Sequence, residues 1–325
     1  MIAYLLRRLG FLLLTLLVTS LIIFAVTQFL PGDVCRVILG REVGEGALET
    51  CRQRLGLDEP LPLQYLNWLG DFVSGDWGES FSTRSDIRPL VLERLRNSLR
   101  LALVTMLIAV PLAIFLGVVA GLNEDKALDN VISIASLSVV GLPEFVTGLV
   151  LIHLLAFSLN SYLERWFGVR PFQANASVAP DASFGEVLPY LILPALTATL
   201  VLLAYIARLT RAGVVEELQR PYVRTATLKG LPRRTVIVKH VLRNALLPTI
   251  TVIAISFGWL ISGLIVIENV FNYPGLGRLL VFAIDRRDLP TLQAVTMVTV
   301  LGFALANLVA DLLYAWLNPR IRLGE

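Results

Sequence analysis

Residues 9–30 read Leu9-Gly-Phe-Leu-Leu-Leu-Thr-Leu-Leu-Val-Thr-Ser-Leu-Ile-Ile-Phe-Ala-Val-Thr-Gln-Phe-Leu30, 22 positions without a charge. A helix rising about 1.5 Å per residue needs about 20 such residues to cross a hydrocarbon core roughly 30 Å thick. Five more runs reach that length: 101–122 (with Pro111 inside it), 131–159, 187–207, 245–267 and 289–310, the last continuing past Asp311 to about 317. None alternates apolar with polar residues, so barrel strands are excluded and the runs read as helices. Arg7 and Arg8 ahead of the first run raise a signal peptide or a twin-arginine export signal. The run is too long for a signal-peptide core and no small-x-small cleavage site follows, so it reads as an uncleaved anchor. The expected fold class is an all-α polytopic membrane protein with six transmembrane helices.

Composition agrees. Of 325 residues, 56% are hydrophobic and 16% charged, and the mean hydropathy is +0.72. Soluble domains carry about 25% charged residues, so a soluble globular chain, a disordered chain and a disulfide-dense secreted scaffold are all excluded. A net charge of +3 and a pI near 9.0 raise nucleic acid as a partner, but the placement of Lys and Arg answers that. With the N-terminus inside, the four cytoplasmic pieces (1–8, 123–130, 208–244 and 318–325) carry 14 basic residues. The two short external loops, 160–186 and 268–288, carry 5. The positive-inside rule then gives N-in and C-in, and the basic pI is a topology signal.

The chain divides into 1–30 (tail and first span), 31–100 (an external segment) and 101–325 (a five-helix core containing the loop 208–247). The external segment holds turn signals at Pro31-Gly-Asp33 and Ser74-Gly-Asp76, interfacial aromatics at Tyr65, Trp68 and Trp77, and both cysteines, Cys35 and Cys51. Oxidation is permitted on that side. A disulfide closing the loop would contribute about 3 kcal/mol in the chain-entropy picture; two separate thiols are the other reading.

The loop 208–244 is long, basic and organised. Pro221 can open a helix through Tyr222–Lys229, Gly230-Leu-Pro232 stops it, and a second helix follows from Arg233 toward Pro248. Two readings stand for such an element outside the membrane: a protein docking surface, or an amphipathic helix resting on anionic lipid.

Its residues, Tyr222-Val-Arg-Thr-Ala-Thr-Leu-Lys-Gly-Leu-Pro-Arg-Arg234 and His240-Val-Leu-Arg-Asn-Ala-Leu-Leu-Pro248, resemble the EAA loop of ABC-importer permeases. More narrowly they are similar to the B-type permease of dipeptide, oligopeptide and nickel importers. The likeness spans nearly the whole chain. It includes Leu30-Pro-Gly-Asp33, Leu55-Gly-Leu-Asp-Glu-Pro60 and Gly75-Asp-Trp-Gly-Glu-Ser80 early on. Late in the chain come Glu268-Asn-Val-Phe-Asn-Tyr-Pro-Gly-Leu-Gly277, Arg287-Asp-Leu-Pro290, Asn307-Leu-Val-Ala-Asp-Leu-Leu-Tyr314 and Asn318-Pro-Arg320. The chain departs from the general motif with Arg224-Thr225-Ala226 for Glu-Ala-Ala, and with His240-Val-Leu242-Arg243 for Ile-x-Leu-Pro. Both departures look like the peptide-importer variety. Asn318 stands where Asp is usual.

The resemblance implies a permease subunit of the bacterial inner membrane forming a path for di- or oligopeptides. It also implies a second, C-type permease as heterodimer partner, two ATPase subunits or domains and an external solute-binding protein. No Gly-x-x-x-x-Gly-Lys-Ser/Thr motif occurs in the chain, so ATP and magnesium are expected on the partner ATPases, with no cofactor, catalytic residue or metal here. Tyr222, Arg224, Thr225, Ala226, Lys229, Gly230, Arg233 and Arg234 are then the coupling residues toward the ATPase. Carboxylates inside spans are costly, which makes Glu144, after the Gly141-Leu-Pro143 break, a candidate pathway residue meeting a substrate amine. The other reading of Glu144 is a kinked, wetted helix pairing with a partner subunit. Asp311 reads as a partner for coupling-loop cations, and Glu268 as a gate or binding-protein contact. His153 reads as a packed or hydrogen-bonded helix residue rather than a ligand. The alternatives are nickel, glutathione, opines or oligosaccharides as solute, an ATP-independent secondary transporter, and an intramembrane enzyme. For the last of these no nucleophile or metal constellation is evident.

Overall fold

The computed structural model describes residues 2–29, 34–40, 43–54, 56–179 and 182–317. Leu30-Pro-Gly-Asp33, Leu55 and Asn318-Pro-Arg320 lie outside them. Among the described residues there is no strand; a single bridge pairs Glu79 with Asp86. In chain order the helices are α1 (Ile2–Phe29), α2 (Val34–Leu39), α3 (Glu45–Arg54), α4 (Leu61–Ser74), α5 (Ile87–Leu122), α6 (Ala127–Val140) and α7 (Glu144–Leu151). Next come a π-helical stretch Ile152–Leu159, α8 (Asn160–Phe167), α9 (Phe184–Leu218), α10 (Pro221–Leu228), α11 (Arg233–Thr235) and a second π-helical stretch Val236–Val241. The series closes with α12 (Leu242–Ala245), α13 (Leu247–Gly263), α14 (Ile265–Val270), α15 (Leu276–Arg286) and α16 (Leu289–Leu317).

Among the described residues, five helices are long and apolar enough to cross a membrane: Leu6–Gln28, Ile87–Leu122, Glu144–Phe167, Phe184–Leu218 and Leu289–Leu312. The pair Arg233–Ala245 and Leu247–Gly263, bent by 50°, makes a sixth if taken as one span. The run 131–159, counted as one span, is interrupted at the Gly141-Leu-Pro143 break that its sequence carries. α6 ends at Val140, and the helix resumes only at Glu144, after Pro143 at φ −58°, ψ 141°. Proline lacks the N–H that would continue the ladder and pushes the residue before it out of helical geometry. At 14 residues, α6 is only about 21 Å long, too short to span by itself. Beyond the break the helix runs to Phe167, past the apolar run, and stops at Gly168 with φ +67°. The fifth run is also broken, at Leu264, and its N-terminal end is set by Pro248 within the first turn of α13.

Two compact units are present, and α5 and α16 contribute residues to both. One comprises residues 1–98 and 274–304. Its core is Ile87, Val91, Leu276, Leu279, Ala294, Val295 and Val298, with Phe72 and Trp77 packed on it. Cys35 and Cys51 are joined by a disulfide, Cα–Cα 5.9 Å. Ser98 Oγ accepts the Leu276 N–H at 2.8 Å, and Asn97 Nδ2 donates to the Pro274 carbonyl at 3.0 Å. Asp288, fully buried, accepts from Ser80 Oγ at 2.5 Å and from the Phe81 and Ser82 N–H groups at 3.1 and 3.3 Å. It also sits where the first turn of α16 needs an acceptor. Two motifs far apart in sequence, 75–80 and 287–290, thereby meet.

The other unit comprises 99–273 and 305–325. α9 runs through its main core, burying Leu191, Leu193, Ala198 and Ile206 together with Leu101, Leu260, Ile267 and Phe271. A smaller cluster, Val214, Val223, Ala226, Val236, Val241 and Ala245, lies around the basic loop.

Candidate functional site

The basic segment begins inside a helix. α9 does not stop with its apolar run at 207 but continues to Leu218, adding eleven residues, or about 16 Å, of rigid rod. Small residues let neighbouring backbones approach it. A Cβ on Gly117 of α5 would lie 2.5 Å from the Ala207 carbonyl oxygen, and one on Gly213 of α9 would lie 2.5 Å from that of Ala245. Only glycine admits such contacts.

A charged tie reinforces them. Arg211 donates from Nε and Nη2 to the two carboxylate oxygens of Asp129, at 2.5 and 2.6 Å. Asp129, 1% exposed, also accepts from the Asp125 N–H at 3.0 Å and from Ser133 Oγ at 3.3 Å. The Arg211 guanidinium holds this carboxyl below the ordinary carboxylate range, against the opposing effect of burial. The fork geometry needs both guanidinium nitrogens, which lysine does not offer.

α10 then projects from this base. Arg220 is extended (φ −69°, ψ 141°), as a residue before proline must be, and Pro221 opens the helix. Val223 and Ala226, three positions apart, fall on one face and are buried in the smaller cluster. Ala226 therefore touches its own chain, and its place in the site is to seat the helix. Tyr222 fastens the start of the helix: its hydroxyl donates to the Glu217 carboxylate and accepts from Asn244 Nδ2 at 3.0 Å. Burial, reinforced by the Glu217 carboxylate, pushes the phenol up from its ordinary value, so it stays protonated as a donor. Gly230, at φ +75°, ends the helix in a conformation that costs glycine little, and Pro232 precedes α11.

Arg224, Thr225, Lys229, Arg233 and Arg234 are exposed, and among them stands Leu228 with 79% of its surface open. Sequence reasoning named the cations and overlooked Leu228. Its signal was an apolar residue flanked by Thr227 and Lys229 on a helix already satisfied by Val223 and Ala226. Asp129, Arg211, Glu217 and Asn244 were missed as well, since nothing local marks a carboxylate 82 residues from its arginine.

The pathway candidates separate. Glu144 opens α7 directly after Pro143 and is half-buried, while Glu268 is buried within α14. α7 and α14 pack together, since a Cβ on Gly148 would lie 3.2 Å from Val270 and 3.3 Å from Phe271. Both short helices follow a break, where freed backbone polar groups are tolerated only in a protein- or water-lined setting. Asp311 is half-buried on α16, and His153 is exposed at the start of a π-helical stretch. Among the described residues no group of three or more His, Cys, Asp or Glu side chains has metal-binding geometry.

Apolar spanning helices, two of them broken beside carboxylates, and a small basic helix seated outside the apolar runs define a polytopic transport protein. The family described as binding-protein-dependent transport system inner membrane component matches residues 113–323, and its N-terminal companion matches 1–102. The chain belongs to this family and is an ABC-importer permease subunit of the inner membrane. It is 37% identical over 322 residues to the glutathione transport system permease protein GsiC of Escherichia coli K12, covering 99% of both chains. The GsiC of Shigella dysenteriae gives the same figures. It is also 37% identical over 333 residues, again 99% of each chain, to the di/tripeptide transport system permease protein DppB of Pseudomonas aeruginosa.

Proposed function

We propose that the chain crosses the membrane six times with both termini in the cytoplasm, taking Leu247–Gly263, led into across a bend by the cytoplasmic segment 233–245, as the fifth span. Residues 31–100 then form its external segment and 101–325 its permease core. In this reading α10 is the coupling helix that enters a groove on a separate ATPase. ATP and magnesium bind there, and a second permease chain completes the path. The carrying observation is the exposed Leu228, close in sequence to the exposed Arg224, Lys229, Arg233 and Arg234, on a helix whose other face is already packed. Charge alone suits anionic lipid as well as protein. A rigid, short, fastened helix whose exposed aliphatic surface is confined to its tip, Leu228 with Leu231 just beyond, suits a socket better, because lipid binding rewards a continuous apolar face. Closure of the ATPases, transmitted through α10 to α9, biases the broken helices α7 and α14 between two arrangements, as alternating access requires. Glu144 and Glu268 face that path.

The solute we infer is a short peptide or a peptide-like thiol such as glutathione, since the relatives are named for glutathione and for di- and tripeptides. The test is Leu228→Asp. We expect unchanged membrane abundance, loss of the co-purifying ATPase and uptake reduced about 100-fold. An ATPase that still co-purifies, with normal uptake, rejects the coupling role. Uptake of labelled tripeptides, with and without glutathione as competitor, decides the solute.

A further inference from the structure

In the unit formed by residues 1–98 and 274–304, a cavity of about 740 Å³ opens beside α4 and the turn that follows it, a volume that suits a small organic ligand. One wall is aromatic and rigid. Phe72 stacks on Trp77 with ring centres 5.2 Å apart, Trp68 leans on Phe72 at 6.3 Å, and Trp77 Nε1 is committed to the Phe72 carbonyl at 3.0 Å. The rest of the lining carries four carboxylates (Glu59, Asp71, Asp76 and Glu79) and, among the described residues, no Lys or Arg. Glu59 accepts from Asn67 and Asp76 from the Gly78 N–H, whereas Asp71 and Glu79 have no side-chain partner among the described residues.

Each class of ligand meets this surface differently. An anion is repelled by four carboxylates. A neutral apolar solute leaves them unexplained. A bare divalent cation needs several carboxylates converging at short range, and the described residues contain no such group. A cation with an apolar body satisfies both walls, its charge over an indole face with carboxylates beside it.

We propose that this cavity is a binding site for a primary ammonium group carried on a small, partly apolar molecule, distinct from the path through α7 and α14 and independent of which solute that path carries. Such a group has two sources, a free amine or the headgroup of an aminophospholipid, and the test separates them. The full chain is placed in nanodiscs of phosphatidylglycerol alone, which expose both faces and contain no amine, and titrated with radiolabelled leucyl-leucinamide. Expected are saturable binding, no competition from the N-acetylated compound, and at least tenfold weaker binding for the Asp71→Asn/Glu79→Gln variant, whose substitutions are exposed and leave the fold intact. Repeating the titration with phosphatidylethanolamine in the disc gives a weaker apparent affinity if the lipid headgroup enters the same site, and an unchanged one if only the free amine does. Equal competition by the acetylated compound, full-strength binding by the double variant, or no saturable binding would each overturn the proposal.

Discussion

Two segments of the chain, residues 43–98 and residues 208–247, lie largely off the apolar runs and are held in opposite ways. The first is cross-braced. Cys51 is tied by a disulfide to Cys35 ahead of the segment, ring contacts run from Phe24 of α1 through Tyr65 and Trp68 to Phe72 and Trp77, and the buried Asp288 gathers Ser80, Phe81 and Ser82. The second has six small aliphatic residues, one phenol, one arginine–carboxylate tie (Arg211 to Asp129) and close backbone contact at glycine. Redundant bracing suits a surface that must keep its shape, and the minimal seat suits a part that must move as one piece with the rod behind it. The difference is also one of charge: carboxylates line the first segment's cavity, and the exposed charges nearest in sequence to the tip of the second are cations.

The largest effect should come from removing the seat itself. Gly213→Leu drives a side chain into the Ala245 carbonyl, and we expect the protein to fail to accumulate, read by immunoblot of membranes against Gly213→Ser as the milder case. Next is Asp288→Ala, which strips a buried acceptor from one hydroxyl and two N–H groups. At about 1–3 kcal/mol per buried group left unpaired, the thermal midpoint in detergent should fall by several degrees. Limited proteolysis near 80–84 should appear, while the segment 208–247 stays protected. Tyr222→Phe is smaller: the fold should be kept, the start of α10 loosened, and uptake lowered about threefold with ATP hydrolysis less affected, measured as ATP consumed per solute imported.

The smallest effect concerns pH. Because the folded Asp129 carboxyl sits below its unfolded value, its stabilisation is present above the ordinary aspartate pKa of about 4 and is lost as pH falls through the lower folded value. Stability of the wild type should therefore hold from pH 8 down to about 5 and decline below about 4. Asp129→Asn should lower the plateau and flatten that decline, followed by tryptophan fluorescence.

The apolar runs made the spanning helices readable because apolar length is a local property, and Pro143 announced its break for the same reason. The break at Leu264 carried only the weak signal of Gly263, and the run was read straight through. Helix ends that lie outside the runs, such as Ile87 and Leu218, were not readable, since apolar length does not mark them and contacts such as Asp129 receiving Arg211 come from far along the chain. At the candidate site, the turn chemistry of Pro221, Gly230 and Pro232 located α10 within a residue. Which way Ala226 and Leu228 face depends on Val214 and Val236 arriving from elsewhere in the chain, and the sequence of the helix alone does not contain that.

The contact between Ser80 and Asp288 spans 208 residues, and this separation sets a schedule for biogenesis. At about 5–20 residues per second of synthesis, roughly 10–40 s pass between the emergence of the hydroxyl and that of the carboxylate that receives it. Throughout that interval the nascent element lacks one of its fastenings, and a ribosome that stalls before the last helix leaves it so permanently. Surveillance proteases that cut exposed backbone would find full-length and truncated chains different at Ser80–Ser82, far upstream of where the message was broken.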